Sequence, residues 1–179
     1  MFGTFGSEII LHDTSEQYNV YKAHISRSAM GDFTLSADKK KMVISDESGA
    51  VKLIDVKTSK VLTNYKAQNL DNVYYVAYND GVIISGGQDR KVGVYGATKE
   101  DYYIKSDFMV YCVGVSPDGN TGIYSSGEEN NLQLFNTRTK QKGDILVAHK
   151  TPINQIKFIN NNELFSIGNR HDIFYWKID

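Results

Sequence analysis

The chain has 179 residues, of which 41% are hydrophobic and 23% charged, and its formal net charge is −1. These values fit one globular domain with a sizeable core. A nearly neutral charge gives no electrostatic footprint for nucleic acid or for an anionic membrane surface, so we expect neither as a partner. The single cysteine, Cys112, excludes an intrachain disulfide and a cysteine-based zinc site.

The N-terminal segment, MFGTFGSEIILHD, lacks the basic region and the long apolar run of a signal peptide. No stretch of the sequence approaches the ~20 consecutive apolar residues of a membrane-spanning helix. Together with the single cysteine, this pattern fits a reducing compartment, and we expect a cytoplasmic protein.

A short motif of alternating apolar residues recurs five times along the chain. Its last residue, called the anchor below, is His12, Ile54, Tyr95, Phe135 and Trp176, at steps of 42, 41, 40 and 41 residues. A serine stands ten residues before three of these anchors, as Ser85, Ser125 and Ser166, while Ser45 stands nine residues before Ile54. A period this regular indicates a repeat architecture.

The repeats contain the pattern of four short strands, except that the first blade and the last repeat are incomplete. The predicted first strands are 30–35, 73–78, 110–115 and 153–158, and the weaker fourth strands are 17–22, 61–66, 102–104 and 144–147. Turn residues separate them, as in Ser116-Pro117-Asp118-Gly119, where proline presets φ and glycine is free to adopt a positive φ. Short strands joined by tight turns predict antiparallel meanders.

Four strands in a repeat of 40 to 42 residues resemble the blade of the WD40 β-propeller family. The Trp-Asp dipeptide of that family is degenerate here, as His12-Asp13, Ile54-Asp55, Tyr95-Gly96, Phe135-Asn136 and Trp176-Lys177. The resemblance covers the whole chain. It implies an all-β fold with about four four-stranded antiparallel blades, as a partial ring or a ring completed by self-association.

No linker divides the sequence, so we expect one WD40-like propeller domain or subdomain, 1–179. Its predicted parts are a partial blade at 1–22, repeats at 23–66, 67–105 and 106–147, and a last repeat at 148–179 without its fourth strand. Because unpaired strand edges invite pairing, we expect the two ends to join. Residues 17–22 would then lie antiparallel beside 173–178, within one chain or between two. We favour a homodimer or a missing propeller half over a compact four-bladed monomer.

The resemblance also implies a hydrogen-bonded set of His, Ser, Asp and Trp that ties the strands of a blade together. The residues that match by position are His24, His149, Ser85, Ser125, Ser166, Asp89 and Trp176. They recur with the repeat instead of converging on one cleft, so we favour a structural role over a nucleophilic triad. The histidines have no metal-binding spacing. We therefore expect no catalytic residue, no metal and no cofactor.

The remaining candidates are surface residues. Loops from the fourth strand to the next first strand, and from the second strand to the third, share one end of a propeller, called the rim below. The rim candidates are Arg27, Tyr74, Arg90, Tyr111, Asn154, Arg170 and His171. Aromatic and arginine side chains are enriched in interface hot spots. We expect a non-catalytic scaffold that binds a protein or peptide on this face. The alternative is an enzyme or small-molecule binder whose central channel is lined by several carboxylates or histidines.

Overall fold

The computed structural model describes residues 2–3 and 6–178 of the chain. In this part the backbone forms eighteen β-strands and one short 3-10 turn, Asn169–His171. No helix among the described residues is long and apolar enough to cross a membrane. The prediction of an all-β protein is confirmed.

The strands form five antiparallel sheets, named A to E in chain order. Sheet A contains β1 (Phe2–Gly3), β2 (Glu8–Asp13) and β3 (Tyr18–His24). Sheet B contains β4 (Met30–Leu35), β5 (Lys41–Asp46), β6 (Val51–Asp55) and β7 (Val61–Asn64). Sheet C contains β8 (Val73–Asn79), β9 (Val82–Gly87), β10 (Lys91–Tyr95) and β11 (Tyr102–Lys105). Sheet D contains β12 (Val113–Val115), β13 (Thr121–Ser126), β14 (Asn131–Asn136) and β15 (Lys142–Leu146). Sheet E contains β16 (Ile153–Phe158), β17 (Glu163–Gly168) and β18 (Ile173–Lys177).

Each strand lies beside its neighbours in the chain, so every sheet is an antiparallel meander. The residues in the turns explain why the chain reverses direction between neighbouring strands. Between β12 and β13, the Gly119 amide donates to the Ser116 carbonyl at 2.9 Å, and Gly119 has φ 72°. The carboxylate of Asp118 accepts from the Asn120 amide and from the Ser116 hydroxyl. Three four-stranded sheets of this kind are consistent with the blades of a propeller.

The core lies between successive sheets. Val43 and Leu53 of sheet B pack with Val73 and Val76 of sheet C, and equivalent apolar clusters join C to D, D to E and A to B. At the B–C junction the backbones come close together. A Cβ atom on Gly31 would lie 2.0 Å from the carbonyl oxygen of Val73, so a larger side chain does not fit there.

The first strands of sheets B, C, D and E line a common groove with a volume of about 440 Å³. Because the first strand of each predicted blade faces the axis, this groove is called the axial groove below. Asp32 on β4, Tyr75 on β8 and Gln155 on β16 are among its lining residues.

Several strands differ from their predicted bounds, among them β7, which ends at Asn64, and β15, which covers Lys142–Leu146. The first strand of sheet D begins at Val113, not at residue 110, because the amides of Tyr111 and Cys112 donate to the Ser125 hydroxyl instead of to a neighbouring strand. β3 runs to His24, two residues past the predicted partial blade. A short second strand, β1, pairs with Ile9 and Ile10 where the sequence left no room for one.

The two ends of the chain do not join to each other within one molecule. β3 pairs with β2, and β18 pairs with β17. The two strands belong to the sheets at opposite ends of the stack, because sheet A packs on B and sheet E packs on D. The intrachain form of the predicted pairing is wrong, and the sheets do not close into a ring among the described residues. Joining between two chains remains a prediction.

Candidate partner-binding site

Sheet E contains a buried polar network around Ser166. The Trp176 indole N–H donates to the Ser166 hydroxyl oxygen at 2.7 Å, and His149 Nε2 lies 2.6 Å from the same oxygen. Burial lowers the pKa of His149, which keeps its ring neutral. The structure therefore brings together the three residues that the repeat placed in this sheet, and they hold the second strand against the third.

Sheet C contains the corresponding network around Ser85, with different partners. The Ser85 hydroxyl donates to Asn69 Oδ1 at 2.6 Å and lies 3.5 Å from the Tyr95 hydroxyl. The Asn69 amide in turn donates to Asp89 Oδ1 at 3.0 Å, and the Leu70 N–H donates to Asp89 Oδ2 at 2.8 Å. Asn69 occupies the place that His149 has in sheet E. The sequence signal for it is weak, because asparagine has no counterpart in the family pattern.

Two predicted network residues lie elsewhere. His24 is exposed on β3, and Ser26 instead bonds to the carboxylate of Asp46 at 2.5 Å. Ser125 stands ten residues before its anchor, as Ser85 and Ser166 do, but the turn of sheet D shifts its register. Ser125 pairs with Leu132, three residues before the anchor, whereas Ser85 pairs with Gly93, two residues before the anchor. Its hydroxyl therefore accepts from the Tyr111 and Cys112 amides.

Replacing Asp89 by alanine should lower the free energy of unfolding by about 1–3 kcal/mol, because it removes the acceptor of the Asn69 and Leu70 donors. Asp89 is also 3.8 Å from the Lys91 ammonium, and its side chain is 11% exposed. Urea unfolding of Asp89→Ala measures the loss. Asp71→Ala, at an exposed aspartate in the loop that contains Asn69 and Leu70, is the matched control. Equal stability of the two variants would contradict a structural role for Asp89.

The rim contains a cluster of aromatic side chains between sheets C and D. The rings of Tyr74 and Tyr111 stack at 5.9 Å with 13° between their planes, and Phe108 packs against Tyr111 at 6.2 Å. The Tyr74 hydroxyl donates to Gln88 Oε1 at 2.9 Å and lies 4.0 Å from the Met109 sulfur. We call Tyr74, Phe108, Met109 and Tyr111 the rim aromatic cluster.

Local structure explains this cluster. Tyr74 lies near the start of β8, and Phe108, Met109 and Tyr111 lie in the loop before β12. The start of β8 and the loop before β12 lie at the same end of neighbouring sheets and bring these residues together. Tyr111 is 37% exposed, so the cluster presents part of its surface to solvent. Partial burial raises the pKa of Tyr74, and its phenol stays protonated at neutral pH. The rim candidates predicted from the sequence include Tyr74 and Tyr111 but not Phe108 and Met109, although an apolar pair in a loop was the available signal.

The other rim candidates are more scattered. Asn154 donates to the Asn169 side chain at 2.7 Å in sheet E, and exposed Arg170 is next to Asn169 with φ 62°. Arg90 is exposed at the equivalent turn of sheet C with φ 61°. Arg27 is exposed beside the A–B junction. The side chain of His171 lies outside the described residues.

The axial groove has few groups that could do chemistry. Its described lining contains one carboxylate, Asp32, and no histidine. Burial raises the pKa of Asp32 to about 6, and its Oδ2 accepts from the Val76 N–H at 2.9 Å. No group of three or more His, Cys, Asp or Glu side chains in the described part of the chain is placed to hold a metal ion.

The fold and the site thus define a stack of blade-like sheets with an aromatic surface at one end. No family model matches the chain. Over 146 residues, 79% of its length, the chain is 25% identical to the E3 ubiquitin-protein ligase COP1 of Arabidopsis thaliana. Over 145 residues, 78% of its length, it is 22% identical to COP1 of Pisum sativum. Each match covers 22% of the relative, so the chain spans about a fifth of the length of the curated relatives it matches.

Proposed function

We propose that the chain is a WD40-like, non-catalytic interaction module that binds a protein or peptide partner at the rim aromatic cluster. The stacked Tyr74–Tyr111 pair is the observation that carries this proposal. Rings held against each other lose little conformational freedom on binding and offer a large contact area, which is why aromatic residues dominate interface hot spots. Exposed Arg90 and Arg170 add charge on the same face.

The comparisons support a recognition role indirectly. The relatives are named ubiquitin-protein ligases, and the likeness is confined to about a fifth of their length. A module of that size can recognise a protein while another part of a longer chain performs catalysis. We propose that this chain contributes recognition, and that its place of action is the cytoplasm.

The alternative, a small-molecule site or enzyme in the axial groove, has less support. Such a site was expected to bring several carboxylates or histidines together, and the described lining holds Asp32 alone of these types. Asp32 also accepts a hydrogen bond from the backbone of β8, so a local structural role accounts for it.

Selection of peptides from a displayed library on the folded chain tests the proposal. The affinity of the best peptide is then measured by fluorescence anisotropy for the wild type, Tyr111→Ala and Tyr103→Ala. Truncating a hot-spot aromatic costs about 2 kcal/mol, so we expect Tyr111→Ala to weaken binding about 30-fold. Tyr103, 44% exposed on the outer strand β11, is the matched control and should leave the affinity unchanged. Undiminished binding by Tyr111→Ala would refute the proposed site.

A further inference from the structure

Each of sheets B, C and D turns three apolar positions toward the next sheet. One lies on the second strand, opposite the residue before the anchor, and two lie on the third strand. These positions are held by Val43, Val51 and Leu53 in sheet B, by Ile84, Val92 and Val94 in sheet C, and by Ile123, Leu132 and Leu134 in sheet D. All nine side chains are between 0% and 8% exposed.

The same register in sheet E places Phe165, Ile173 and Tyr175 at these positions. Here they are 40%, 63% and 53% exposed. The rings of Phe165 and Tyr175 lie 5.5 Å apart, so the exposed surface is contiguous. We call Phe165, Ile173 and Tyr175 the sheet E face. By comparison with the other sheets, it is a packing surface that no sheet among the described residues covers.

We propose that a second copy of this chain covers the sheet E face by packing its own sheet E against it across a two-fold axis. Like surfaces meet in a two-fold contact, and apolar sheets pack face to face. The bordering charges suit this arrangement. Glu163 pairs in register with Lys177, and Lys157 pairs with Phe165, so charges of both signs lie on this side of the sheet. Across a two-fold axis, the acidic group of each copy can face the basic groups of the other.

The outer side of sheet A is the competing surface for such a contact. It carries Val20, which is 45% exposed, and the ion pair between Lys22 and Glu8 at 3.0 Å. Covering this side would remove the ion pair from water at a free-energy cost. The sheet E face exposes three large side chains, two of whose rings are in contact, whereas the outer side of sheet A exposes Tyr18 and Val20, so the contact between two E sheets is favoured.

The contact is small, because three large side chains form its centre. Interfaces of this size belong to the weak class, so we expect a dimer that forms at micromolar concentrations and dissociates on dilution. This association is independent of partner binding at the rim aromatic cluster, which lies between sheets C and D.

Sedimentation equilibrium of the full chain, from low to high micromolar concentrations, tests the proposal. The wild type should form a dimer, and Ile173→Lys and Tyr175→Lys should be folded monomers by circular dichroism. Leu62→Lys, at a residue 50% exposed on β7, is the matched control and should still form the dimer. Val20→Lys should also form it. A wild type that is monomeric at every concentration would overturn the proposal, and so would loss of the dimer in Val20→Lys, which would assign the contact to sheet A.

Discussion

Replacing Gly31 by alanine should lower the free energy of unfolding by about 2–3 kcal/mol, because the new Cβ would overpack the junction between sheets B and C. The nearest atom, 2.0 Å away, is the backbone oxygen of Val73. A flexible side chain could rotate away, but this oxygen moves only if β8 shifts as a whole. Urea unfolding monitored by far-ultraviolet circular dichroism measures the loss.

Gly143→Ala is the control for this substitution. Gly143 is also a strand residue, but its added Cβ would meet its nearest neighbour, the Cβ of Leu134, at 3.6 Å, an ordinary contact. We expect a change of less than about 0.5 kcal/mol, as for most surface substitutions. Equal losses in the two variants would contradict the close approach of β4 and β8.

Replacing Asp32 by asparagine should stabilise the protein above pH 6 and remove a pH dependence at the same junction. Burial raises the pKa of Asp32 from 3.8 to about 6. The folded chain therefore holds this proton more tightly than the unfolded chain does. The resulting stability is fully present below pH 3.8 and is lost as the pH rises through about 6. This pKa shift corresponds to a loss of about 2–3 kcal/mol in the free energy of unfolding once the carboxyl group is ionised.

The asparagine oxygen can still accept from the Val76 N–H, as Asp32 Oδ2 does at 2.9 Å. Urea unfolding at pH 4 and pH 7.5 should show a smaller decline for Asp32→Asn than for the wild type. Asp38→Asn is the control, because Asp38 lies in an exposed turn where hydrogen bonds from Ser36 and Lys40 lower its pKa. A wild type and an Asp32→Asn variant with parallel pH profiles would contradict a buried, titrating carboxyl group.

The regular spacing of the anchors was enough to predict the sheets, because each repeat must bury one face against the next. The side chains of Trp176 and Ser166 form a hydrogen bond, as their positions in the repeat predicted. The Ser125 hydroxyl does not occupy the equivalent position. The turn of sheet D shifts the strand register by one residue, and the sequence pattern does not reveal such a shift. In sheet C, Asn69 takes the place that His149 has in sheet E, because its amide can both accept from Ser85 and donate to Asp89.

The candidate site was only half predictable. Tyr74 and Tyr111 were identified from loop position and residue type, but their stacking depends on how sheets C and D are placed relative to each other. That placement is a long-range property that strand patterns do not encode. The predicted intrachain pairing of the end strands was wrong for the same reason. The sequence predicted that their edges would be unpaired, but it did not predict how far apart sheets A and E lie.

The central claim, recognition of a partner at the rim aromatic cluster, is tested most directly by nitrogen-15 correlation spectra of the chain titrated with a selected peptide. We predict that the amide signals of Tyr74, Phe108 and Tyr111 shift most, because these residues form the cluster. Shifts centred instead on Asp32, Tyr75 and Gln155 would place binding in the axial groove and contradict the claim.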